Sequence, residues 1–191
     1  MTFDLFSTAP LTLAEDAQGG IVYRPGLLTA AQAQRWFERL RDEIAWGHER
    51  RMMYEREVDV PRLMARFELD DAQLPPLLKV AAQAVADATG VRYTSLGLNY
   101  YRDGRDSVAP HHDKLQELQP GYPIALLSLG ATRLMRLSTQ AAPKRHLQID
   151  LEPGSLLTMS YASQLHWLHG IPKQSGDQLP RISLAFRVRP R

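Results

Sequence analysis

The stretch Arg181-Ile182-Ser183-Leu184-Ala185-Phe186-Arg187-Val188-Arg189 alternates apolar and small or basic residues without a break. As a strand it puts Ile182, Leu184, Phe186 and Val188 on one face, and Arg181, Ser183, Ala185, Arg187 and Arg189 on the other. The apolar face must pack on another layer. The basic face is either solvated or lines a cavity. Arg181 and Arg187 share it, about 20 Å apart at roughly 3.3 Å per residue. In a cavity, one guanidinium could bind the far end of an anionic ligand while the other works near its reactive end.

The rest of the second half also reads as short strands: Tyr93–Tyr101, Pro123–Leu129, Arg133–Ser138, Leu147–Leu151 and Ser155–Ser160. Turn pairs at Asp103-Gly104, Pro120-Gly121, Pro153-Gly154 and Ser175-Gly176 separate them. The first half reads as helices. Thr29 caps one whose apolar positions are Ala33, Trp36, Phe37, Leu40 and Ile44. A second runs from Leu74 to about Thr89, burying Leu77, Leu78, Ala81, Ala84, Val85 and Ala88, with Gly90 just past its end. The charged segment 48–71 between them reads as an extended loop with some strand. Helices followed by strands predict an α+β fold, with helices packed on one side of a sandwich or barrel. No linker or repeat divides the 191 residues, and 44% hydrophobic content supports one core, so a single domain is expected.

The chain has no Cys, which excludes disulfides, thiolate metal sites and Cys nucleophiles. The first twenty residues show no basic n-region and no long apolar run, so no secretory signal is expected. The uncharged stretch 153–172 is broken by Pro, Gly, Ser, Gln and His and does not read as a membrane span. A soluble, cytoplasmic, monomeric protein is expected. A net charge of +2 says little about partners.

The chemistry centres on Asn99-Tyr100-Tyr101 and on Pro110-His111-His112-Asp113. In extended backbone His111 and Asp113 point to one side and can share a metal ion, while His112 points away. A third ligand is available late in the chain, in Gln164-Leu165-His166-Trp167-Leu168-His169-Gly170. A His buried there needs a partner or a metal. Two His and one carboxylate suit the facial triad of non-haem Fe(II) oxygenases, or a tetrahedral Zn site for hydrolysis; spacing alone leaves both open.

The ordered series VPR (60–62), LNYYRDGRDSVAPHHDK (98–114), PGYPIALLSLGATR (120–133), LEPGSLLTMS (151–160), HWLHGIPK (166–173) and PRISLAFR (180–187) resembles the AlkB family of Fe(II)- and 2-oxoglutarate-dependent dioxygenases. The resemblance implies a double-stranded β-helix, or jelly roll, over residues 91–191, preceded by helices and a short substrate lid over 1–90. It implies that His111, Asp113 and His169, rather than His166, hold Fe(II). It further implies that Asn99, Tyr101, Arg181, Ser183 and Arg187 bind 2-oxoglutarate, with Arg181 on the distal carboxylate and Arg187 near the metal. Ser183 stands where many relatives carry Asn, so a modest weakening of cosubstrate binding is expected. With dioxygen as oxidant, the implied reaction is demethylation of N-alkylated bases in DNA or RNA.

The lid is shorter and poorer in aromatics than in many DNA-repairing relatives. Tyr54, Arg62, Met64 and Phe67 are the substrate-pocket candidates, with Lys114 beside Asp113. Segment 47–66 carries five Arg and four acids and is nearly balanced, whereas 131–149 carries Arg133, Arg136, Lys144 and Arg145 with no acid. That second group reads as a phosphate-contacting patch. Rival readings are the same oxygenase chemistry on a protein or small molecule, a non-catalytic metal-binding jelly-roll module, and a Zn or Ni protein of cupin type.

Overall fold

Both helices form where the apolar spacing places them. The computed structural model describes residues 9–53 and 56–190, without the side chains of 49–53 and 56–59. Helix α1 (Ala30–Glu43) follows two short strands, β1 (Leu11–Ala14) and β2 (Ile21–Arg24). Its start is a capping box: the Gln32 amide donates to Thr29 Oγ1 at 3.2 Å, and the Thr29 amide donates to Gln32 Oε1 at 3.0 Å. A ribbon of β3 (Gly47–Met53) and β4 (Arg56–Glu68) leads to α2 (Pro76–Thr89). This helix starts two residues later than its apolar pattern suggests, because Pro75 and Pro76 restrict the residues before them to extended backbone. It ends at Gly90, whose φ of 71° gives the left-handed turn.

The remaining elements are β5 (Ser95–Tyr101), β6 (Val108–His111), β7 (Ile124–Gly130), β8 (Arg133–Thr139), β9 (His146–Leu151), β10 (Leu156–Met159), α3 (Tyr161–His166), β11 (Trp167–Ile171) and β12 (Arg181–Arg187). They form two antiparallel sheets. The large one has the order β1-β2-β10-β7-β12-β5-β4-β3, the small one β6-β11-β8-β9. The expectation of two helices joined by an extended loop with some strand is corrected here in the amount of strand. The first half supplies four strands, β1 to β4, which extend both edges of the large sheet. Strands β1 and β2 are four residues each, too short to show a period. The charged segment is a two-stranded ribbon: β3 pairs along β4 from Met64 to Arg56, whereas β5 pairs with β4 only over Leu63–Glu68.

Strand alternation divides the core in two. Ile182, Leu184 and Phe186 of β12, with Leu96, Leu98, Ala125, Leu127 and Leu129, pack against α1 and α2. Ala185, Tyr101, Ile124 and Leu126 face Met135, Leu137, Trp167 and Ile171 of the small sheet. The helices thus cover one face of the large sheet, and the small sheet faces the other. This is the α+β fold that the pattern predicts, with the jelly-roll core that the resemblance implies. Among the described residues no helix is long and apolar enough to cross a membrane.

Candidate metal centre

The small sheet brings two imidazoles together by strand register. His111 of β6 is the direct partner of His169 in β11, and their ring centres lie 4.4 Å apart. Gly170 permits this approach: a Cβ there would stand 2.9 Å from the Val108 carbonyl oxygen and 3.0 Å from the Pro110 nitrogen. Asp113 follows β6 directly. Ligand atoms of His111, Asp113 and His169 all lie within 4.8 Å of one another.

Each ligand is fixed by its surroundings. His111 Nδ1 donates to the Ala109 carbonyl at 2.9 Å, which leaves Nε2 with a lone pair. His169 is 5% exposed, and its Nδ1 has no hydrogen-bond partner. Burial and the neighbouring His111 push its imidazole down to about 3, so the ring is neutral and able to ligate. Burial opposes the charged form of Asp113, but Arg187 outweighs it and holds the carboxyl below its ordinary value. Arg187 pairs with both carboxylate oxygens, Nε to Oδ2 at 2.6 Å and Nη2 to Oδ1 at 3.2 Å. From α3, Gln164 Oε1 accepts the Asp113 amide at 3.1 Å.

Across from this centre, the inner face of the large sheet carries a row of polar rungs. Arg181 pairs in register with Tyr101 and Gly130, Ser183 with Asn99 and Ser128, and Arg187 with Ser95. Arg181 is 1% exposed. Its Nη2 donates to Ser128 Oγ at 2.9 Å, while Nε and Nη1 are buried without partners. Burial pushes its guanidinium down to about 10, so it stays charged at neutral pH. A buried cation with free donors suits a carboxylate, and a His–Asp–His cluster with an orphaned imidazole nitrogen suits a divalent metal. The residues therefore fit both groups.

A family model described as the 2OG-Fe(II) oxygenase superfamily matches residues 20–187. The chain belongs to this superfamily. Within the 2OG-Fe(II) oxygenases it is 30% identical over 187 residues to the alpha-ketoglutarate-dependent dioxygenase alkB homolog 3 of Bos taurus, covering 86% of this chain and 64% of that protein. It is 34% identical over 119 residues to the human DNA oxidative demethylase ALKBH2, covering 59% of this chain and 46% of that protein. The chain thus spans less than two thirds of the length of these relatives. The solved structure of OsALKBH1 superposes with a TM-score of 0.64 at 19% identity, covering 88% of this chain and 97% of that one, which shows the shared fold.

The other residues singled out in the sequence fall in different places. Asn99 and Ser183 share a rung of the cleft, and Tyr101 is buried beside Arg181. Arg62 is buried on β4, donating to Asn99 Oδ1 at 2.7 Å and to the Ser107 carbonyl at 3.3 Å. Met64 pairs with Asn99 and is half-buried. Phe67, expected at the substrate, is corrected: it pairs with Leu96 and packs with the helices, because its place in the alternation puts it on the opposite face from Met64. Lys114 is exposed and pairs with Glu117 at 3.1 Å. Tyr54 lies outside the described residues.

The His112 ring is exposed, its Nδ1 donating to the Asp113 carbonyl at 2.9 Å, and His166 is exposed at the end of α3. Arg136, Lys144 and Arg145 are exposed as a patch requires, but Arg133 is fully buried and leaves that patch. Sequence reasoning did not assign Ser128 and Gln164 to the site. Ser128 alternates with Leu126 and Ile124 on the inner face of β7, a signal that would have found it. Gln164 carries no such signal.

Proposed function

We propose that the protein is an Fe(II)- and 2-oxoglutarate-dependent dioxygenase that oxidatively demethylates N-alkylated bases in DNA or RNA. One observation carries this reading: the His111–Asp113–His169 cluster stands across the cleft from a buried guanidinium, Arg181, that has free donors and no carboxylate partner. His111, Asp113 and His169 would hold the metal. Arg181 would bind the distal carboxylate of the cosubstrate, with Asn99, Tyr101 and Ser183 along its length. The metal, 2-oxoglutarate and dioxygen together supply a two-electron oxidation of an N-methyl C–H bond, yielding succinate, carbon dioxide and, once the hydroxymethyl group is lost, formaldehyde.

The chain's own part is positional. Arg187 neutralises Asp113 and fixes both its oxygens, so the carboxylate cannot swing. The Ala109 carbonyl selects the His111 tautomer. Between the sheets, apolar walls from Leu126, Leu137 and Ala185 exclude water from the reacting end. Met64, on the cleft side of β4, would meet an extruded base, and the exposed Arg136, Lys144 and Arg145 would meet phosphates. The likeness to a protein named DNA oxidative demethylase supports a nucleic-acid substrate. We read residues 1–191 as one domain, acting as a cytoplasmic monomer. Residues 1–90 supply the helices and lid, and 91–191 the catalytic core.

The test is succinate and formaldehyde release under aerobic, reducing conditions with Fe(II), across single- and double-stranded oligonucleotides bearing N-methylated bases. Both products in equal amount are expected with at least one oligonucleotide. Succinate without formaldehyde from any of them would move the substrate to a protein or small molecule. No succinate at all would leave a metal-binding module.

A further inference from the structure

A second arginine stands beside the cosubstrate end of the cleft. Arg133, at the start of β8, is 0% exposed. Its Nη1 donates to the Asp103 carbonyl at 3.0 Å, and its Nη2 donates to the carbonyls of Asp106 at 2.9 Å and Pro172 at 3.0 Å. None of these acceptors is charged. The Arg133 guanidinium carbon lies 5.5 Å from the Tyr101 ring centre, and that of Arg181 lies 5.3 Å from the same centre.

The nearest acids are committed elsewhere. The Asp103 carboxylate is held by Arg105 and the Asp106 carboxylate by Arg102. Among the described residues, neither Arg133 nor Arg181 makes an ion pair. Two buried guanidiniums therefore share one aromatic ring without a matching anion, an arrangement that is costly unless a ligand supplies the negative charge.

Resting on the dioxygenase reading above, we infer that Arg133 is a specificity-determining second cation of the cleft, selecting an oxo acid with a distal carboxylate over one without it. Its Nη2 holds two carbonyls and its Nη1 one, while its Nε is buried without a partner. The three carbonyl bonds fix the guanidinium in place, so it acts on the ligand as a fixed charge rather than as the group that grips it. Arg181 grips it, and Arg133 adds a fixed positive field behind Tyr101. In the protein interior a unit charge several ångströms away changes affinity by about tenfold.

The experiment is calorimetric titration of the metal-free 191-residue chain with glutarate and with pentanoate, its analogue lacking one carboxylate. Arg133→Gln removes the charge and Arg133→Lys keeps it while losing the fork of carbonyl bonds. For Arg133→Gln, glutarate binding is expected to weaken about tenfold and pentanoate binding less than twofold. Arg133→Lys is expected to stay within about threefold of the wild type for glutarate. Unchanged glutarate affinity in Arg133→Gln would overturn the inference. So would a Lys variant, folded by thermal melt, that loses glutarate binding as severely as a neutral one, since Arg133 would then be a staple for the 103–106 loop. If Arg133→Gln does not fold, the Lys variant decides alone: glutarate affinity within about threefold of the wild type supports the inference, and a loss of about tenfold or more overturns it. A wild-type protein that binds neither acid would bring down the cosubstrate reading itself, and this inference with it.

Discussion

The two ends of the cleft are built on opposite electrostatic plans. At the metal end the charges balance within the chain: Asp113 is held by Arg187 through both oxygens, and the His111 and His169 rings are pushed toward their neutral forms by burial. At the far end Arg181 and Arg133 are buried with no carboxylate to match them. The metal end can therefore stand ready before its ion arrives. The far end carries buried positive charge without a matching carboxylate, so an anion bound there is expected to raise stability.

The largest effect expected is at the balanced end. His169→Ala should lower both Fe(II) affinity and succinate formation by about 100-fold or more, read by metal titration and turnover. Near-normal turnover in that variant would show that the ion sits elsewhere. Next, Arg181→Met should raise the 2-oxoglutarate requirement by about 100-fold with little change in Fe(II) affinity, while the metal-free protein keeps or gains stability in urea. Arg187→Met should do the reverse to stability, costing about 3 kcal/mol, because it leaves the Asp113 carboxylate buried and unpaired. Equal losses from the two Met variants would erase the contrast between the ends.

A smaller effect follows from pH. In the unfolded chain His169 and His111 titrate near 6.5, whereas burial lowers both in the fold, His169 to about 3. The unfolded state therefore takes up protons first as pH falls. The metal-free protein should lose stability from about pH 6.5 downward, by at most about 1.4 kcal/mol per pH unit for each ring. Urea melts of His169→Gln should show a shallower slope over that window. The smallest change is expected from His166→Ala, which should shift turnover less than about threefold, since the ring is exposed and outside the cluster.

Much of this was legible from alternation. The period of two in Arg181–Arg187 separated the face that packs on the helices from the face that carries both Arg181 and Arg187, but it left open whether that second face was solvated or lined a cavity. The same reasoning, carried further, would have placed more. In Arg133-Leu134-Met135-Arg136-Leu137, parity sets Arg133 on the buried side with Met135 and Leu137, and Arg136 on the other side with Leu134. In β4, parity separates Met64 from Phe67. Strands β6 and β11 were not legible. They are four and five residues long, one contains Pro and the other Gly, and their existence depends on pairing with distant chain. The contact from Gln164 to Asp113 bridges 51 positions and leaves no local trace.

Strand β6 forms the outer margin of the small sheet, with backbone partners on one side only. Two members of the triad sit on it or just after it, and the third sits on its inner neighbour. An ion held by all three would rivet that margin to the sheet's interior. Loading the centre would then slow amide exchange along Val108–His111, so that the site fastens the part of the fold that otherwise has least to hold it.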